Sequence, residues 1–128
     1  MGEEPAPAGP ASRLWTARLR HPTLLFGLLM DRAALYARIG ERVDAMVEAG
    51  ALDEVRRAAA AGASRTARAA LGFEELLAGD VDAMKRRTRN LAKRQLTWLR
   101  RLEGAHLVDL TETGPDAAAA EIEARTRR

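Results

Sequence analysis

Between Lys85 and Arg101 the chain places eight basic residues, Lys85, Arg86, Arg87, Arg89, Lys93, Arg94, Arg100 and Arg101, and no acidic one. On a helix, opposite charges four residues apart help and like charges repel. A band of one sign therefore costs stability unless an anion meets it. A polyphosphate backbone is the usual anion for such a band. A solvated face, or pairing with carboxylates elsewhere in the fold, is the competing reading. At about 100° per residue, Met84, Leu91, Trp98, Leu99 and Leu102 form a core face. Arg87, Arg94 and Arg101 flank it, and Arg86, Arg89, Lys93 and Arg100 fill the outer face.

A second cation stands on an earlier helix. Leu35, Ile39, Val43, Met46 and Val47 make its apolar stripe; Arg42 falls inside that stripe and Arg38 on its edge. A buried arginine is costly unless an anion pairs with it. Arg42 either snorkels or pairs with a neighbouring carboxylate, or it presents its guanidinium fork to a phosphate or carboxylate ligand. Glu41, Asp44 and Glu48 form an outer acidic row whose simplest role is solvation, with Arg38 as an available partner. His21 and His106 are isolated and read as structural. No Gly-rich phosphate loop, nucleophile elbow or metal-ligand cluster occurs, so no complete catalytic machine is visible.

These residues need elements to hold them. Residues 1–13 carry Pro5, Pro7 and Pro10 without periodicity and read as a disordered lead. Thr23–Met30 is an unbroken apolar run, the pattern of a strand buried on both faces of a parallel sheet. It looks orphaned, as if part of something larger. Asp31 can cap a helix to about Ala49, stopped by Gly50. Further helices are expected over Leu52–Ala61 and Gly72–Ala78, and Asp80 caps a long one through Leu102. His106–Leu110 is a short strand, and Thr113 or Pro115 opens a last Ala-rich helix. The expected fold is mainly α, with one or two strands. Its units are the lead, a body over 14–112 and a final helix over 113–128.

Composition closes several routes. The chain has 128 residues, room for one domain. Apolar residues are 47%, but 27 of them are alanine, so the core is thin and helical. Aromatics at 4% argue against a sandwich or barrel. With no cysteine there is no disulfide framework, thiolate nucleophile or zinc-thiolate site. The longest apolar run is far short of the roughly 20 residues of a membrane span, and Glu3 and Glu4 replace the basic start of a secretory signal. Cytoplasm is the default.

Several segments together resemble one family, the tRNA dimethylallyltransferases (tRNA isopentenyltransferases). Arg38-Ile39-x-x-Arg42-Val43-x-x-Met46 resembles their Arg-Ile-x-x-Arg-Val-x-x-Met helix. Gly50–Val55 looks like their Gly-Leu-x-x-Glu-Val turn, and Ala70–Glu75 is similar to Ala-Leu-Gly-Tyr-x-Glu, with Phe73 in place of tyrosine. Thr88-Arg89-Asn90-Leu91-Ala92-Lys93-Arg94-Gln95-Leu96-Thr97-Trp98-Leu99-Arg100 resembles the most diagnostic segment. The likeness covers about residues 22–110.

The resemblance implies transfer of a dimethylallyl group from its diphosphate to N6 of the adenosine 3′ of the anticodon, with magnesium, by a monomeric P-loop-type α/β enzyme. It implies that Arg42, with Arg38, contacts the departing diphosphate. It implies that Arg68, Gly72, Phe73, Arg87, Lys93, Arg94, Gln95, Thr97, Trp98, Arg100 and Arg101 contact tRNA. Thr23–Met30 becomes one strand of the family's parallel sheet. The P-loop, the general-base aspartate and the magnesium site are absent from the sequence. The expectation is therefore a C-terminal helical part, inactive alone; an RNA-binding helical module and a decayed remnant are the alternatives.

Overall fold

The path from β1 (Leu25–Leu29) to its partner β2 (Ala105–Asp109) runs through five helices. The structure is a computed structural model and describes residues 21–127. The lead over 1–13 lies outside the described residues. The two strands pair in parallel, with Leu25 opposite Ala105 and Leu29 opposite Asp109. Parallel strands need a long crossover. Here it comprises α1 (Arg32–Glu48), α2 (Ala51–Ala60), α3 (Arg65–Arg68), α4 (Phe73–Leu77) and α5 (Val81–Arg101). A last helix, α6 (Leu110–Thr126), follows β2. The mainly helical reading with two short strands holds.

Local chemistry sets the boundaries. The Asp31 carboxylate accepts from the Ala33 and Ala34 N–H groups at 3.1 and 3.2 Å, which starts α1. Asp80 does the same for α5, accepting from Ala83 at 2.8 Å. The short α3 has no apolar periodicity to announce it; its cap is Ser64, accepting from Ala67. In α6 the helical backbone breaks at Gly114 (φ 70°, ψ 173°) and resumes at Pro115. Proline suits a first helical turn, where its missing N–H is not needed.

Val43 of α1, Leu76 of α4 and Met84 of α5 form the buried cluster, with Val47, Leu52, Val55 and Val81 packed against it. Each fully buried apolar side chain contributes roughly 1.5–3 kcal/mol. Gly72 is buried with φ 92°, and a Cβ there would lie 2.8 Å from Met84 Cε. This glycine serves both a left-handed turn and the close approach of α4 to α5.

The sheet lies between α5 and α6. A Cβ on Gly27 would come within 2.6 Å of Leu99 Cδ1, so the bare backbone admits α5 on that face. On the other face the Phe26 and His106 rings lie 5.4 Å apart, and His106 Nδ1 is 3.4 Å from Arg125 of α6. The strand expected to be buried on both faces is not. Leu24 and Leu28 are 50% and 52% exposed, and only Gly27 of β1 is fully buried. With β2 as its partner, β1 is not an orphan, but two strands and two helices are too few to cover a leucine-rich run.

Candidate functional site

Helix α5 carries the basic band, and its two halves treat their cations differently. Lys85 Nζ sits 2.6 Å from Asp44 Oδ1 on α1, and Arg87 Nη1 sits 2.5 Å from Glu75 Oε1 on α4. Arg89 lies half-buried with its guanidinium 5.9 Å from the Tyr36 ring centroid. Its Nε is buried without a hydrogen-bond partner. In the second half Lys93, Arg94, Arg100 and Arg101 are exposed and make no ion pair among the described residues. Pairing with carboxylates elsewhere in the fold is thus correct for Lys85 and Arg87 only; Arg86 is exposed and, like Arg89, makes no ion pair among the described residues. Asp44 belongs to the acidic row expected to be solvated, and its partner is Lys85, not Arg38.

Both helical wheels are turned from their expected settings. The buried centre of α1 is Val43, with Tyr36, Ile39 and Val47 half-buried beside it and Met46 38% exposed. Arg42 and Arg38 are exposed and make no ion pair among the described residues. The inward-facing Arg42 of the sequence reading is therefore corrected. The stripe's width was set by the sequence, but its centre is set by α4 and α5, which pack on the Val43 side. On α5, Trp98 and Leu102 are 48% and 36% exposed, while Thr88, Ala92 and Leu96 are half-buried. The core face has rotated towards α1 and the sheet. Arg89, expected on the outer face, turns inward with it.

The rotation leaves concavities on both sides of α5, and one of about 330 Å³ between them, lined by Asn90, Lys93, Arg94, Thr97 and Trp98. An apolar groove of about 400 Å³ is lined by Leu91, Arg94, Gln95, Trp98, Leu99 and Leu102. A polar cleft of about 320 Å³ lies at the carboxyl ends of both strands, lined by Leu29, Met30, Asp31, Arg32, Tyr36, Lys93, Leu96, Thr97, Arg100 and Asp109. Arg32 and Tyr36 join the site although the sequence reading did not select them; Arg32, the first residue of α1 after its cap, was the available signal. The Thr97 hydroxyl donates to the Lys93 carbonyl at 3.0 Å.

The α3–α4 segment is tied to itself. Arg68 donates to both Glu74 carboxylate oxygens, at 2.7 and 3.2 Å, and its guanidinium lies 5.8 Å from the Phe73 ring centroid. The Arg68 hydrogen bond holds the Glu74 carboxyl below its ordinary range, and the same bond raises Arg68. The Arg87 hydrogen bond likewise lowers Glu75. Gly72 is buried beneath Met84 and presents no surface. The sequence reading missed Glu74 and Glu75 as partners, because a pairing six or twelve residues away leaves no periodic trace.

Among the described residues no group of three or more His, Asp or Glu side chains could hold a metal ion. Among the described residues no helix is long and apolar enough to cross a membrane.

A family model described as IPP transferase matches residues 4–102. The matched stretch begins well before the likeness over about residues 22–110. A tRNA dimethylallyltransferase of Shouchella clausii is 43% identical over 112 residues, covering 80% of this chain and 36% of the relative. One from Symbiobacterium thermophilum is 48% identical over 108 residues, covering 77% and 33%. Among solved structures, the full-length tRNA isopentenylpyrophosphate transferase of Bacillus halodurans superposes with a TM-score of 0.74 at 34% identity, covering 81% of this chain and 38% of that one. The chain spans about a third of the length of the curated relatives it matches.

Proposed function

The chain belongs to the IPP transferase family, and from that premise we propose that it serves the transfer of a dimethylallyl group from dimethylallyl diphosphate to N6 of an adenosine 3′ of the anticodon in tRNA. Its relatives are named for transfer to tRNA. The observation that carries the reading is the second half of α5, where Lys93, Arg94, Arg100 and Arg101 stand exposed without carboxylate partners among the described residues. Such cations neutralise backbone phosphates and position the nucleic acid.

In the reaction the adenine N6 attacks the first carbon of the prenyl group, the carbon–oxygen bond to diphosphate breaks, and N6 loses a proton. Arg42, exposed and without an ion partner among the described residues, is placed to meet charge growing on the diphosphate. This chain's part is binding and charge stabilisation. The base that takes the proton and the donors for magnesium are not among the residues described.

The test is a chimera in which residues 21–110 replace the matching segment of the Symbiobacterium thermophilum relative. Labelled prenyl transfer to an anticodon stem-loop RNA is expected to persist, and Arg42→Gln in the chimera lowers kcat by about 10²-fold. A folded chimera that transfers nothing overturns the reading.

A further inference from the structure

We infer that Glu74 is a gate on RNA binding: its carboxylate occupies the guanidinium fork of Arg68, which takes up an RNA phosphate only when Glu74 lets go. The inference rests on the proposed tRNA reading and deepens it. The family likeness implies an RNA contact at Arg68 and gives Glu74 no part.

An arginine offers an anion two parallel N–H groups along one edge of its plane, and carboxylate and phosphate use the same edge. On Arg68 that edge is taken. Its Nε donates to Glu74 Oε1 at 2.7 Å and its Nη2 to Oε2 at 3.2 Å. One face of the guanidinium also lies over the Phe73 ring, 5.8 Å from the centroid. A phosphate therefore reaches this fork by displacing the carboxylate, which then stands beside it as a like charge. Arg65, one turn earlier on α3, is exposed and makes no ion pair among the described residues. The two cations of α3 are thus one open and one held.

The hold is weak enough to release. The Arg68 and Glu74 side chains are 43% and 52% exposed, and pairs this open to water are worth little and are screened by salt. The neighbouring pair differs, since Glu75 keeps only 15% exposure under Arg87. Glu75 acts as a lock between α4 and α5, and Glu74 as a latch on the surface. The lock also sets the place. It holds the α3–α4 segment against α5 at Arg87, and Lys93, where the exposed cations begin, stands about 9 Å farther along that helix. An RNA stem lying on the second half of α5 spans that distance.

The experiment measures binding of an anticodon stem-loop RNA by the full chain over a range of salt concentrations. Glu74→Gln is expected to tighten binding about two- to fivefold. It also raises the salt slope by about 1, for one more phosphate met by a cation. Glu74→Ala, which frees the same fork, gives the same gain. Arg68→Gln alone leaves affinity and slope unchanged, and added to Glu74→Gln it abolishes the gain. Glu54→Gln removes an equal charge from the first turn of α2, where Glu54 holds no arginine among the described residues, and brings no rise in slope. Glu74 variants that bind RNA no more tightly, while Arg94 and Arg101 still set the slope, overturn the gate and uphold the tRNA reading. An Arg68→Gln chain weakened in the parent as much as in the Glu74→Gln background makes Arg68 a standing contact and overturns the gate as well. A chain that binds no RNA in any form overturns the tRNA reading and the gate with it.

Discussion

The two halves of α5 share a sequence character and differ in whether carboxylates of other helices meet their cations. In the first half Met84 is buried and Lys85 and Arg87 are bound to carboxylates on two other helices. In the second, Trp98 and Leu102 are open and four cations stand without ion partners among the described residues. A run of eight cations is thus two features. One is a clamp that fixes α1 and α4 against α5. The other is a surface that holds unrelieved positive charge.

The comparison breaks most clearly at its core. Met84→Ala removes a side chain packed against Val43 and Leu76, and is expected to cost about 2–5 kcal/mol. Arg101→Ala, exposed and without an ion partner among the described residues, should stay within about 0.5 kcal/mol. Urea unfolding of both variants checks the contrast. Equal losses would mean that the second half is as tightly built as the first.

Two glycines sharpen it further. Gly72→Ala forces a Cβ into the left-handed region and to within 2.8 Å of Met84 Cε, a backbone and packing penalty of about 1–4 kcal/mol. Gly40→Ala meets nothing within 4 Å and lies inside α1, so it should stabilise by about 0.5–1 kcal/mol. Thermal melts of the pair should move in opposite directions.

What the sequence disclosed depended on how local the cause was. Caps and stops are local, so Asp31, Gly50 and Asp80 placed α1 and α5 within a residue or so of their observed ends. The four-residue α3 rests on one serine cap and escaped notice. Helix rotation is not local. Periodicity outlined a stripe containing both Val43 and Met46, and the packing of α5 and of Leu76 from α4 decided that Val43 is inside and Met46 outside. Arg42 changed from inward to exposed for the same reason. The site was legible as composition and motif, but the division of its cations among Asp44, Glu75, the cleft and solvent depends on contacts between distant segments.

Binding should divide along the same line. Replacing Arg94 and Arg101 together with alanine is expected to lower the salt slope of RNA binding by about 2, one for each phosphate that no longer meets a cation. Replacing Lys85 should leave that slope unchanged, because its charge is already bound to Asp44. Titrations of an anticodon stem-loop over a range of salt concentrations measure both. A slope that falls with Lys85 as much as with Arg94 would erase the boundary between clamp and surface.

The smallest effect concerns pH and belongs to the clamp alone. Glu75 is held below its ordinary range, first by the Arg87 hydrogen bond. A carboxyl depressed in the folded state contributes stability that is fully present above its unfolded value, about 4.3. That stability fades as pH falls through the lower folded value. Glu75→Gln should therefore lower the melting temperature at neutral pH, and the gap to the parent chain should narrow as pH drops below about 4. The second half of α5 has no such carboxylate, so Arg100→Gln should show no comparable narrowing. A Glu75→Gln gap that stays constant from neutral to acid pH would mean that the Arg87 contact acts through shape and not through charge, and the clamp would then owe its strength to Met84 and Leu76 alone.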